Sequence, residues 1–186
     1  MNKMKRRLAE SYEVLLTTEP NLNIIIDNMV SEWGGLVYAE LSVLLVYLKF
    51  LAAVHQNHHW VTKGDPYYGD HLLFQRLYGD IADEVDSVAE KAIGLGSVTN
   101  VDVKLQTSQL DKLISGYGTA STMPQQAELA KRSLHAELNF LKVTAHLVES
   151  MKSCGLLTRG LDNLLAGIED KHEGHVYLLK QRIMTQ

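Results

Sequence analysis

His59-Trp60-Val61-Thr62-Lys63-Gly64-Asp65-Pro66-Tyr67-Tyr68-Gly69-Asp70-His71 is the stretch on which the reading of this 186-residue chain turns. Gly64, Pro66 and Gly69 punctuate it as a turn between two long runs whose apolar residues recur at three- and four-residue spacing. Upstream, a helix is expected to begin near Gly35 and to carry Leu36, Leu41, Leu44, Leu45, Leu48 and Leu51 up to His59. Downstream, Asp70 is expected to cap a second helix from about His71 to Ile93, stopped by Gly94-Leu95-Gly96.

Beyond the second helix the pattern weakens between 97 and 121, where Leu110, Leu113 and Ile114 suggest a short helix inside a long connection. Such a connection is too long for a hairpin between adjacent helices but long enough to cross a bundle. Ser121-Thr122-Met123-Pro124 reads as the cap and first turn of a third long helix, running to about Lys152 and closed by Gly155. A fourth follows from about 158 to 183. Before all of these, short helical segments are expected at about 5–17 and 21–31. No alternating strand pattern is visible, so the chain reads as all-α. Four long helices with a short first loop, a long crossover and a short last loop match a ferritin-like four-helix bundle. The expected organisation is a basic and helical extension over 1–34 and the bundle over 35–186. Gly160, Gly167 and Gly174 repeat every seven residues on the last helix, which suggests a stripe of close helix packing, with contact between subunits as the alternative.

A net charge of −4 makes the whole chain a poor match for a phosphate backbone, so any nucleic-acid contact must be local. The single cysteine, Cys154, excludes an intrachain disulfide framework and a thiolate metal cluster. Only eight uncharged residues separate Glu40 from Lys49 in the most apolar stretch, against the roughly 20 a bilayer span requires. The basic N-terminus is not followed by a long apolar region of the secretory kind. The expectation is a cytoplasmic protein with no membrane contact.

Four residues carry potential chemistry: His59, His71, Asp86 and Glu90, with Trp60 beside the first. Asp86 and Glu90 are four apart on one helix and share a face. Two carboxylates combined with imidazole nitrogens suit an iron(II) site with open positions for an oxidant. Each signal alone also fits a solvated helix face or a satisfied polar residue. Geometry adds a constraint. At 1.5 Å per residue, His71 lies about 22 Å from Asp86 and about 28 Å from Glu90 along one helix axis. An ion with ligands at about 2 Å cannot span that gap. If the four residues form one site, the histidines and carboxylates come from different subunits, and twofold pairing makes two such sites.

The motif His59-Trp60-Val61-Thr62-Lys63-Gly64, followed by His71, Phe74, Asp86, Ala89 and Glu90, resembles the signature of the Dps family, the miniferritins. His172-Glu173-Gly174-His175-Val176-Tyr177-Leu178-Leu179 is similar to that family's closing motif, with Tyr177 in the place of a tryptophan. The resemblance implies a hollow dodecamer with a ferroxidase site at each dimer interface. Iron(II) is oxidised there, preferentially by hydrogen peroxide, and stored inside as ferric mineral. It also implies that His59 and His71 bind iron from one subunit, and Asp86 and Glu90 from its neighbour. Trp60 is either a trap for one oxidising equivalent or an aromatic anchor of the interface.

Gln75 stands where many members carry an acid, which weakens a second iron position. DNA binding is the variable property of the resemblance and rests here on Lys3, Lys5, Arg6 and Arg7. Those charges share their segment with Leu8, Tyr12, Leu15 and Leu16, which favour a docked helix, so weak or absent binding is expected at physiological salt. A non-catalytic, DNA-compacting or scaffold shell is the alternative function. Around the start of the last helix, where the family lines its iron channel, Asp162 is the single carboxylate and Arg159 opposes it. A metal centre inside one bundle has a single Glu-x-x-His unit, Glu169 to His172, which reads as a helix surface pair. His55 and His58 read as core or solvated histidines, with auxiliary contact to iron as the alternative.

Overall fold

The computed structural model describes residues 22–117 and 127–184. The basic residues 3–7, the helix expected over 5–17 and the cap expected at 121–124 lie outside them. Among the described residues the structure is all helical. It comprises α1 (Leu22–Ser31), α2 (Ala39–Val61), α3 (Tyr67–Leu95), a 3-10 turn (Val98–Val101), α4 (Val103–Tyr117), α5 (Glu128–Ser153) and α6 (Arg159–Met184). The four long helices α2, α3, α5 and α6 form the ferritin-like bundle. Short connections join α2 to α3 and α5 to α6, and α4 rides in the crossover between the pairs.

α2 is the central element. It touches α1, α3, α4 and α5, and every residue from Ala39 to Leu48 is buried. A helix covered on all sides has no need of a polar face, which explains why it is apolar all round. By length and composition it passes as a membrane span, but 78% of its most apolar window is inside the bundle. α1 is anchored by Ile26, Met29 and the following Trp33, all buried. Trp33 Nε1 donates to Gln109 Oε1 at 3.1 Å, and Gln109 Nε2 donates to the Met29 carbonyl at 2.8 Å, tying α1 to α4.

Three helix starts differ from the sequence expectation: α5 begins at Glu128, after Ala127 in left-handed backbone (φ 68°), instead of running from 121–124, and the other two are those of α2 and α3. α2 begins at Ala39 instead of near Gly35, because Gly34, Gly35 and Tyr38 all take positive φ (64°, 76° and 64°) and break the right-handed path. The Tyr38 hydroxyl donates to the Leu156 carbonyl at 3.2 Å, which holds that non-glycine residue in place. α3 begins at Tyr67, so Asp70 does not cap it. Pro66 presets the helical entry, the Asp70 amide already donates to the Pro66 carbonyl, and the Asp70 carboxylate in the first turn is gripped by Arg182 of α6. The expectation for the glycine stripe is also corrected. A methyl placed on Gly160, Gly167 or Gly174 meets nothing within 4 Å, so among the described residues no helix packs closely there.

The apolar core falls into two parts. The larger runs through Leu44, Leu48, Ile81, Val88, Phe140, Leu147 and Leu165. A smaller one near the α2–α3 corner gathers Phe74, Leu77, Leu134, Val176 and Leu179. Between them lies a layer of buried polar side chains: His55, Glu84, Ser133, Glu137, His172 and His175.

The tightest backbone approach is at the end of α3. A Cβ on Gly96 would stand 2.5 Å from Asn100 Oδ1, 2.8 Å from the Ala92 carbonyl and 3.0 Å from the Val37 carbonyl. The Asn100 side chain is itself committed, accepting from the Ser97 amide and donating to the Val37 carbonyl and Ser42. Gly96→Ala should therefore destabilise the fold by about 1–3 kcal/mol, read as a lowered thermal midpoint. An unchanged midpoint would show that the turn yields freely.

Candidate functional site

His59, in the last turn of α2, and His71, in the first turns of α3, are brought together across the short turn. Their rings stack with centroids 3.7 Å apart and planes 25° apart. His59 Nδ1 is 2.9 Å from the His71 carbonyl oxygen, and His71 Nδ1 is 3.2 Å from the His59 carbonyl oxygen. A carbonyl only accepts, so each Nδ1 carries a proton and donates. The tautomer that fits this bonding has its lone pair on Nε2, the form in which imidazole binds a metal. Tyr67 stacks on His71 at 5.0 Å and Tyr78 meets His59 edge-on at 5.3 Å. Both imidazoles are half-buried, and Trp60 beside them is 67% exposed, with Tyr67, Tyr68 and Leu72 also exposed on this corner.

Asp86 and Glu90 are exposed and one turn apart on α3. α3 is a single helix from Tyr67 to Leu95, so the axial separations from His71 of about 22 and 28 Å stand within one chain. The structure thus unites the two histidines and keeps both carboxylates away from them. Gln75 is exposed one turn beyond His71.

A second cluster, in the polar layer, was largely missed by sequence reasoning. Glu137 of α5 is fully buried. Its Oε1 lies 2.8 Å from His55 Nε2 and 3.2 Å from His175 Nδ1, and its Oε2 lies 2.5 Å from His172 Nδ1. His172 Nε2 is 3.0 Å from Glu84 Oε2, and His175 Nε2 is 3.2 Å from Asp80 Oδ2. Ser133 Oγ bridges His55 Nδ1 at 3.1 Å and His58 Nδ1 at 2.8 Å. His172 is therefore no surface partner of Glu169. It is fully buried, and its partners are on α3 and α5. His55 and His58 are core residues. The overlooked signal is a charged or imidazole side chain occupying an apolar register. Glu84 continues the buried series Phe74, Leu77, Ile81 to Val88, and His172 continues Leu161, Leu165, Ile168.

The electrostatics of this layer are dominated by burial and by what opposes it. Burial works to lower the His172 pKa, but hydrogen bonds and charge from Glu137 and then Glu84 outweigh it and push it up to about 9. Burial alone would raise Glu137; His172, His175 and His55 hold it well below the usual carboxylate range instead. His55 is lowered, chiefly by burial. His58 is pushed down to about 3, again chiefly by burial, with the charges of His55 and Arg132 adding.

A depressed histidine supports the fold above its unfolded pKa of 6.5, and that support is lost as pH falls towards 3. The thermal midpoint should accordingly drop on acidification below pH 6.5, and His58→Gln, neutral throughout, should drop less steeply. Equal slopes in the two proteins would contradict the assignment.

No protein-family model matches the sequence. The nutrient stress-induced DNA-binding protein of Nostoc sp. is 27% identical over 139 residues, covering 75% of this chain and 72% of the relative. Its namesake in Synechococcus sp. is 29% identical over 173 residues, covering 91% and 89%. DNA protection during starvation protein 2 of Bacillus anthracis is 26% identical over 128 residues, covering 67% and 80%. Among solved structures, DpsC from Streptomyces coelicolor matches with a TM-score of 0.66 over 77% of this chain and 81% of its own, at 19% identity. Dps from Thermosynechococcus elongatus matches with a TM-score of 0.60 over 87% and 94%, at 14% identity. The structural likenesses establish the ferritin-like bundle fold, and the chain is similar in sequence to these stress-induced DNA-binding and starvation-protection proteins over most of its length.

Proposed function

We propose that the protein is a ferroxidase of the miniferritin type, which takes iron(II) as substrate at sites shared between subunits, oxidises it and stores the ferric product inside a cytoplasmic dodecameric shell. The observation that carries this reading is the reciprocal bonding of His59 and His71, which leaves two Nε2 lone pairs ready for a metal at the α2–α3 corner. Two imidazoles hold a borderline cation such as iron(II) only loosely, and carboxylates add the hard oxygen donors that favour the ferric product. Asp86 and Glu90 are the pair with that chemistry on α3, and the length of the helix requires them to come from a neighbouring copy. The exposed aromatic corner of Trp60, Tyr67, Tyr68 and Leu72 supplies apolar surface for such a contact.

Hydrogen peroxide needs two electrons to become water, and each iron(II) yields one. With Gln75 in place of an acid, a second iron is weakly held, so Trp60, next to His59 in the chain, would supply the second electron, with Tyr67 and Tyr78 as further oxidisable rings against the two imidazoles. This chemistry would remove iron(II) and peroxide together and so protect against oxidative damage.

A second reading is favoured by the names of the Nostoc and Synechococcus relatives, which describe DNA-binding proteins. On it the shell compacts DNA through Lys3, Lys5, Arg6 and Arg7 without catalysis. The −4 charge of the chain opposes tight binding, so contact with DNA should be weak and salt-sensitive.

Subunit mixing tests the shared site. Both Asp86→Ala/Glu90→Ala and His59→Ala/His71→Ala should lose peroxide-driven iron oxidation, measured as ferric absorbance. Co-assembled in equal amounts, the two should regain about one quarter of wild-type activity. Half of the dimers are then mixed, and each mixed dimer restores one of its two sites. No recovery in co-assembled, dodecamer-sized particles would overturn the intersubunit assignment.

A further inference from the structure

We infer that each subunit holds a second metal site, inside its own bundle, where Glu137, His172 and His175 bind a first-row divalent cation with His55 as a further nitrogen donor. One donor atom from each of Glu137, His172 and His175 already lies within 4.8 Å of the other two. His172 Nδ1, His175 Nδ1 and His55 Nε2 all converge on the Glu137 carboxylate, from α6 and α2 onto α5. Three imidazoles and one carboxylate match the N and O donor sets that take zinc, cobalt(II) or iron(II) with bonds of about 2.0–2.2 Å. This site is independent of the α2–α3 corner and does not rest on the ferroxidase reading.

The outer partners point the same way. Metal-binding histidines characteristically anchor their far nitrogen on a carboxylate or other acceptor, which fixes the ring and raises its donor strength. Here His172 Nε2 is held by Glu84, His175 Nε2 by Asp80, and His55 Nδ1 by Ser133. Each inward nitrogen therefore has a matched outward restraint. A buried carboxylate also demands compensating positive charge. A divalent cation bound there would supply it.

A groove approaches the site from outside as far as Glu84. α3 and α6 touch only sparsely, and a groove of about 270 Å³ runs between them, lined by Asp83, Glu84, Ser87, Gly167 and Lys171 among others. Gly167 keeps the groove open, since no neighbour lies within 4 Å of where its Cβ would be. Glu84 closes the floor at 4% exposure, with one oxygen on His172 and the other 3.1 Å from Lys171 Nζ. An entering cation meets Asp83 and then Glu84 before His172.

Cobalt(II) is the probe, added to the metal-stripped, assembled full-length protein. The Asp86→Ala/Glu90→Ala variant, which removes the carboxylates of the proposed intersubunit site, should retain one cobalt per chain by equilibrium dialysis. It should also show visible absorption of a nitrogen-rich site, and anomalous diffraction should place cobalt against Glu137, His172 and His175. Adding Glu137→Gln, or separately His175→Gln, should abolish that ion in particles of unchanged helicity and mass. A properly assembled Asp86→Ala/Glu90→Ala variant with no bound cobalt overturns the inference, as does cobalt bound equally well after either added substitution. The cobalt difference between wild type and the Asp86→Ala/Glu90→Ala variant reports on the intersubunit site alone, so failure of one reading is separable from failure of the other.

Discussion

A carboxylate without solvent, at the centre of four helices, is the constraint around which this structure is arranged. Glu137 has no exposure, and an ionised carboxylate taken out of water must find its compensation within the fold. It finds it in His55 from α2 and in His172 and His175 from α6, with Glu84 and Asp80 of α3 bonded in turn to the far sides of the last two rings. Every long helix of the bundle thus has a fixed axial position relative to the others. Apolar packing alone tolerates sliding by a turn, whereas directional bonds to one carboxyl group do not. The two apolar clusters on either side then fill space whose register the polar layer has set.

The second organising fact is the length and continuity of α3. It carries His71 near one end and Asp86 and Glu90 towards the other, with the inner face of Glu84 between them. Along the same rod, outward residues and inward residues serve separate purposes: the outer set is available to another molecule, while the inner set is spent on the bundle. On the proposed reading, the rod's stiffness is what forces the outer set to be completed by a second copy.

Much of this was legible in the sequence, and for physical reasons. The periodicity of Leu36 to Leu51 and the glycines around 94–96 gave the long helices, because burial of one face leaves a three-and-four pattern and a helix end leaves its glycine. The spacing of His59 and His71 around Gly64 and Pro66 placed the pair at one corner, and the structure brings them into contact. Helix starts were less legible. Left-handed backbone at Tyr38 is held by a bond to the distant Leu156 carbonyl, and no local pattern encodes that. Asp70 resembled a cap because its true partner, Arg182, is 112 residues away. The Glu137 cluster was hidden for the same reason. Its members come from four helices, and only their shared position in apolar registers, legible afterwards in Glu84 and His172, marked them as inward-facing.

The reciprocal bonding of His59 and His71 has a consequence for assembly. Each imidazole clasps the backbone of the other's segment, so the turn between α2 and α3 and the two rings are ordered by the same bonds. The entropy of arranging these nitrogens is settled when the chain folds, before any encounter between copies or with a cation. Docking then has only to deliver oxygen ligands to a preset pair. Conversely, loss of either ring removes one of the two bonds and the stacked neighbour of the other, which slackens the corner, so the clasp makes the donor geometry and the bend of the chain a single heritable unit.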